Sequence, residues 1–288
     1  MPLAIVQAAS YIQTRAPHCS VLQCLRDFQG SDREATKLLN KEAGHLHQDW
    51  GAKNAILVTW QISFDHIRQT KPSTAQLLSL MSFFNRRGIP ENLIRQQPRT
   101  NHISNSELPS YSNDEVTSES DLGPDFDDDI AALREYSFIS ATESSTSFTM
   151  HRLLQLTMRA WLKSHEQIDQ WRDKIIGILC DEFPTGEYEN WDRCGPLFPH
   201  FKSAMSKRPA STQSLLQWAT LLYEGAWYAS RCGNIIDTRE MTSRSRNQRT
   251  MALGNTHEKF VESTAILAIA HWHEGRWKEA EQLLEQVV

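Results

Sequence analysis

At 288 residues, 40% of them apolar, the chain is long enough to bury the cores of two or more domains. No segment reaches the roughly 18 uninterrupted apolar residues of a bilayer-spanning helix. No basic region precedes the short apolar run after Met1, so neither a membrane anchor nor a secretory signal is expected. The net charge of −5 is unevenly spread: Glu107 to Asp129 holds nine carboxylates and no Lys or Arg, which leaves the rest of the chain net basic.

The five cysteines (Cys19, Cys24, Cys180, Cys194, Cys232) are odd in number, scattered and never spaced C-x-x-C. They are expected to be mostly reduced, buried small hydrophobes of an intracellular, cytoplasmic protein. Among 11 histidines, His45 with His47 and His271 with His273 invite a metal reading. Side chains two apart on a helix point about 200 degrees away from each other, so no metal site is expected.

From Pro2 to about Gln69 the spacing is helical. Leu3, Ile5, Val6, Ala9 and Ile12 form one face, and Ala55 to Ile67 carries Ile56, Val58, Trp60, Ile62, Phe64 and Ile67. That run partly alternates, as a strand would, but its length favours a helix. Ser73 is placed as the N-cap of a helix over Thr74 to Phe84, which Gly88 and Pro90 end before a short helix from Glu91 to Arg95. The acidic run that follows reads as a solvated loop over 99–126, with a docking peptide for a basic partner as the alternative. Asp127 to Arg134 reads as a helix whose first-turn carboxylates suit the helix dipole. Strands follow at Tyr136 to Ala141 and Ser147 to Met150 about a polar turn, then a helix from His151 to Leu162. Three helices and a short hairpin outline a winged-helix domain over 71–165.

Past Ser164 the pattern is helical throughout. Ile168, Trp171, Ile175, Leu179 and Phe183 share a face that ends at Pro184 and Gly186. Trp191, Cys194, Leu197 and Phe201 mark a second helix, expected to bend near Gly195 and Pro196; these bridging helices fill 166–210. The final segment, 211–288, repeats itself. A shift of 42 residues superposes Gly233 on Gly275, Ala226 on Ala268, Ile235 on Trp277 and Met241 on Leu283. Two stacked helical hairpins are therefore predicted, Ser214 to Met251 and Phe260 to Val288. Such repeats bury their apolar faces against one another and present a concave surface suited to gripping proteins. The expected fold class is mainly α: a helical domain over 1–70, the winged helix with its hairpin, and an α-solenoid.

In this order the segments resemble a known arrangement. Pro2, Leu3, Ala4 resembles the tail of the GLPLA motif of NB-ARC (STAND) signalling ATPases, and Thr59 to Asp65 (TWQISFD) resembles the segment after it. Met150, His151, Arg152 resembles the MHD-type motif at the end of that family's winged-helix domain. Phe183 to Trp191 (FPTGEYENW) resembles the bridging segment of fungal NOD-like proteins, and Gly275 to Glu281 (GRWKEAE) resembles tetratricopeptide repeats of the kinesin-light-chain-like kind. The resemblance implies that residues 1–70 are an ARC-like remnant. It carries the family's nucleotide contacts onto Pro2, near the adenine, and His151, which reads bound ADP. The family's phosphate loop G-x-x-x-x-G-K-[ST], and its strand ending in an acidic pair that organises magnesium, do not occur in the chain. The resemblance thus implies the regulatory and sensing fragment of a nucleotide switch. No cofactor is expected for this chain alone, although the family binds ADP and ATP, and a missing NTPase module is an expected partner.

Enzymatic chemistry finds little support. No G-x-S-x-G occurs and no cysteine has an activating flank, while Asp127, Asp128 and Asp129 lie in a solvated run rather than an apolar pocket. No enzyme is expected. The alternative function is DNA binding through the winged helix by Arg152, Arg159 and Lys163, but Leu153, Leu154, Leu156, Met158, Trp161 and Leu162 leave that helix little polar face, and the acidic loop would repel phosphate. The repeat surface remains. In tetratricopeptide registers its inner face would carry Thr220, Tyr223, Trp227, Ser230 and Arg231, then Glu262, Ala265, Ile269, Trp272 and His273. Aromatic and Arg side chains anchor interfaces, so Tyr223, Trp227, Arg231, Trp272 and His273 are the predicted partner-binding residues. The competing reading packs Trp227 and Trp272 between the repeats. His257 and the basic run Arg239, Arg244, Arg246 and Arg249 are expected to face solvent.

Overall fold

Helical periodicity governs the computed structural model, which describes residues 2–14, 16, 20–23, 50–95, 124–142 and 146–286. Its helices are α1 (Pro2–Thr14), α2 (Trp50–Thr70), α3 (Pro72–Met81), α4 (Glu91–Arg95), α5 (Pro124–Glu135), α6 (Arg152–Ser164), α7 (Ile168–Glu182), α8 (Trp191–Met205), α9 (Thr212–Arg231), α10 (Ile235–Leu253), α11 (Glu258–His273) and α12 (Trp277–Leu284). The strands are short: β1 (Ile89–Pro90), β2 (Ile139–Ala141) and β3 (Ser147–Met150). The protein is mainly α, as its periodicity predicts. Most of the acidic run, together with Cys19, Cys24 and the His45/His47 pair, lies outside the described residues. Among the described residues, no helix is long and apolar enough to cross a membrane, and no three His, Cys, Asp or Glu side chains gather as a metal site would need.

The chain divides into two units, Met1–Leu78 with Ile94–Thr157, and Ser79–Leu93 with Met158–Val288. In the first unit α1 packs on α2, with the Tyr11 ring edge-on to His66 at 6.2 Å between centroids. Trp60, Phe64 and Ile67 are all buried, and their spacing of four and three places them on one helical stripe. Tertiary burial of that stripe settles the helix-or-strand ambiguity of Ala55 to Ile67.

Ser73 does not cap α3. The helix starts at Pro72, whose missing N–H costs nothing in a first turn. The Ser73 hydroxyl instead donates to Asp129 Oδ1 at 2.8 Å, and Thr74 donates to the same oxygen. Asp129 is therefore buried, unlike its exposed neighbours Asp127 and Asp128. Two hydroxyl donors offset the desolvation of one carboxylate. β2 and β3 pair antiparallel, Ile139 opposite Met150 and Ala141 opposite Phe148. Ile139, Phe148 and Met150 are buried.

In the second unit, Arg159 is held inside. Its Nε donates to the Ser82 carbonyl at 2.6 Å and its Nη2 to Ser203 Oγ at 3.3 Å, while Ser203 donates to the Phe83 carbonyl. One of the three cations predicted for a DNA contact is thus spent on packing α6 and α8. α8 runs through Pro196 and Pro199. α6 ends with Glu166 at φ 58°, where the Gln167 N–H reaches back to the Leu162 carbonyl at 2.9 Å, the pattern that favours glycine. Glu166→Gly is expected to stabilise the protein by about 0.5–1 kcal/mol, raising Tm by about 2 °C; thermal unfolding of the two proteins measures it, and an unchanged or lower Tm contradicts it.

The 42-residue register is reproduced in the backbone bonds that close the two hairpin turns, although only Asn234 adds a side-chain cap. Gly233 has φ 72° and Gly275 φ 76°. Asn234 N–H donates to the Ala229 carbonyl at 2.8 Å and Arg276 N–H to the His271 carbonyl at 2.9 Å. Ala226 and Ala268, the superposed small residues, are both buried.

Candidate partner-binding face

α9 places Tyr223, Trp227 and Arg231 four residues apart, so they form one stripe. The Tyr223 and Trp227 rings lie 6.2 Å apart, and the Arg231 guanidinium sits 5.2 Å from the Trp227 ring, a favourable cation–π distance. Tyr223 and Trp227 are half-buried while Arg231 is exposed. The stripe therefore has a packed end and an open end.

Trp227 meets the loop after α7. A Cβ on Gly186 would lie 2.5 Å from Trp227 Cδ1 and 2.5 Å from the Tyr228 backbone nitrogen, so only glycine permits this approach. The Gly186 amide bonds to Glu224, whose carboxyl is nevertheless pushed up, first by burial and then by Glu262 and Glu187. The Trp227 Nε1–H is buried without a partner. Trp227 is thus half-buried, with one side of the ring packed against the Gly186 loop.

Trp272 is otherwise placed. It is 56% exposed and meets Trp277 across the hairpin turn, edge to face at 4.7 Å. Trp272, Trp277, Ala280 and Leu284 line an open concavity of about 700 Å³ at the end of the last hairpin. His273 is exposed in the last turn of α11. Among the nucleotide-contact residues carried over by resemblance, Pro2 opens α1, with its side chain outside the described set. His151 is exposed ahead of α6, and its Nδ1 accepts the Leu153 N–H at 3.2 Å, the backbone satisfaction expected of a residue at a helix start.

The basic run corrects the expectation that it faces solvent. Arg249 is only 1% exposed. Its Nη1 donates to the Lys259 carbonyl at 2.6 Å and to Ser263 Oγ at 2.8 Å, and lies 3.3 Å from Glu262 Oε2. Its guanidinium covers the Tyr223 ring at 4.6 Å. Burial lowers the Arg249 pKa, which Glu262 partly offsets. Burial, with Glu262, pushes the Tyr223 phenol up to about 12. Arg246 stands over the Phe260 ring at 4.8 Å and donates to Thr264. Arg239 pairs with Glu274 at 2.7 Å, and Arg244 donates to the Ser206 carbonyl at 2.9 Å. These arginines connect one element to the next because α10 turns polar side chains inward, and each inward donor must find an acceptor.

Arg249 also lines a pocket of about 140 Å³ with Leu216 and Thr220 of α9, Leu253 of α10, and His257 and Lys259 at the start of α11. His257 is exposed, as predicted. It caps α11, its Nδ1 accepting the Lys259 N–H at 3.2 Å, which leaves its ring proton on Nε2 in the neutral form.

Of the described cysteines, all free, only Cys194 is buried; Cys180 and Cys232 are exposed, which corrects the expectation of mostly buried thiols. Cys194 is pushed up to about 11 by burial and by Cys232, the direction of a buried thiol rather than of an activated one. Cys180, exposed as a residue, is likewise raised, by partial desolvation of its thiol and by Asp181.

Residues 65–167 match a family described as "Domain of unknown function (DUF7779)". The chain is similar to a "Nucleotide-binding leucine-rich repeat (NLR)-like protein" of Hyaloscypha variabilis, 28% identical over 267 residues. No solved structure matches it. The similarity covers 91% of this chain but 24% of the relative, so the chain spans about a quarter of that protein's length. Similarity over nearly all of the chain supports a relationship to the NLR-like proteins.

Proposed function

We propose that this chain is a non-enzymatic regulatory part of an NLR-like signalling switch of the STAND kind, acting in the cytoplasm, and that it binds a partner protein through the face of α9 and α11. The α9 stripe carries this reading: Tyr223, Trp227 and Arg231 grade from packed to open on one helix. Preorganised aromatic and Arg anchors of this kind dominate interface energies. The repeated hairpin turns support a tetratricopeptide-like identity for residues 211–288, and the order of helices and the β2–β3 hairpin supports a winged-helix reading of 71–165. Kinship with an NLR-like protein supports the signalling setting. In the implied mechanism, nucleotide contacts at the winged helix favour a closed form and a ligand on the repeats favours an open one.

The test compares proteins retained from fungal cells by the intact chain and by a Tyr223→Ala, Arg231→Glu, Trp272→Ala variant, followed by direct titration of each recovered partner. A direct partner whose affinity drops about tenfold or more in the variant is expected. Direct partners that bind both chains equally would remove the reading. The purified chain is also expected not to bind ATP saturably at micromolar concentration; isothermal titration checks this, and saturable binding would contradict the assignment of nucleotide chemistry to another module.

A further inference from the structure

We propose that the pocket between α9, α10 and the start of α11 is a receptor for a single carboxylate, the side chain of an acidic residue on the partner protein. The hydrogen bonds of the buried Arg249 side chain run through Nη1, to the Lys259 carbonyl, Glu262 and Ser263. Its Nε–H is buried and has no partner. The Nε–Nη2 edge of a guanidinium is one of those that meet a carboxylate with two parallel hydrogen bonds. That edge is the unused one. The Tyr223 ring beneath the guanidinium and the bonds at Nη1 hold the group in place, so little ordering is left for a ligand to impose.

The rim adds a second attraction. Lys259 and His257, both exposed, line the same pocket at the N-terminus of the 16-residue α11, where helix polarity favours an anion. The opposing charges are Glu262, engaged at Nη1, Glu258 in the first turn of α11, and Glu224 of α9. Leu216, Thr220 and Leu253 supply walls for the methylene groups of the guest. A volume of about 140 Å³ admits one such side chain. The fork itself would accept a phosphate as readily, but a free phosphate leaves the apolar walls of Leu216 and Leu253 uncovered, which favours a carboxylate carried on methylene groups.

This inference rests on reading the α9–α11 face as a protein-binding surface, but its test needs no partner. The probe is N-acetylglutamate amide, titrated into the full ¹⁵N-labelled chain while the Arg249 Nε–H resonance and the Lys259 amide are followed. A saturable shift of both is expected, about tenfold or more weaker with N-acetylglutamine amide. Lys259→Gln, an exposed change that leaves the core intact, should weaken the probe about two- to fivefold, and Arg249→Lys, if it folds, about tenfold. No saturable shift, an equal response to the glutamine probe, no effect of Lys259→Gln, or tighter binding of inorganic phosphate each overturns the assignment. Loss of the pocket with partner binding still sensitive to Tyr223, Arg231 and Trp272 removes this inference alone. Partner insensitivity with glutamate still bound removes only the functional reading.

Discussion

Gly225→Ala is expected to destabilise the protein by about 1–3 kcal/mol, although alanine in mid-helix ordinarily gains about 1 kcal/mol over glycine. Packing decides the sign. A Cβ at Gly225 would fall within contact of Phe201 Cε1 and Cζ, and 3.3 Å from Met241 Sδ. Phe201 has nowhere to go: it is fully buried and stacked on Phe183 at 4.4 Å and on Phe198 at 6.1 Å. α8 and α9 approach each other there because one of them lacks a side chain. Urea unfolding of the wild type and the variant measures the loss. Adding Phe201→Leu should return part of it, since the two sites share one space. A variant as stable as the wild type would mean that the ring yields.

Acidification is expected to weaken the protein through His200. The imidazole is 2% exposed, lies edge-on to Phe84 at 6.3 Å, and has an Nδ1 without a partner. Burial lowers its pKa to about 4, although backbone groups of Gly88 and Asn85 favour the charged form. The unfolded chain, with an ordinary value near 6.5, therefore takes up its proton at higher pH than the folded chain does. This contribution to stability is complete above about pH 6.5 and is lost as the pH falls from there to about 4, on the order of 3 kcal/mol at most. His200→Met, close in volume and without a proton to take up, should flatten that part of the profile. Denaturation midpoints between pH 7.5 and 4 are the measurement; parallel profiles for the two proteins would contradict the role of His200.

Most of the fold was legible where apolar residues recur at helical spacing. Trp60, Phe64 and Ile67, the hairpin glycines Gly233 and Gly275, and the strand Ser147–Met150 lie where periodicity and turn chemistry put them, whereas the strand expected from Tyr136 begins only at Ile139, after a turn in which Ser137 takes φ 56°. The α9 stripe was legible for the same reason, since Tyr223, Trp227 and Arg231 are large and spaced by four. Arg249 was not. The inward face of α10 carries Thr238, Thr242, Ser245 and Arg249, all buried, at spacings of four, three and four. That is a helical stripe written in polar residues, and hydropathy reads it as surface. Ser245 donates to the Ala219 carbonyl at 2.6 Å and Arg249 to the Lys259 carbonyl, acceptors on neighbouring helices that no local pattern announces. Asp129 was misread in the same way, because its donors Ser73 and Thr74 lie more than fifty residues earlier.

The sequence by itself determined where helices begin and turn back, and that two hairpins share one register. Those properties follow from backbone sterics and short-range spacing. Only the tertiary structure decided which polar groups are inside, which end of the α9 stripe stays open, and that one edge of a buried guanidinium is left without a partner. Burying a charge or a hydroxyl is tolerable only when a distant residue supplies the matching atom, and that match exists only once the helices are packed.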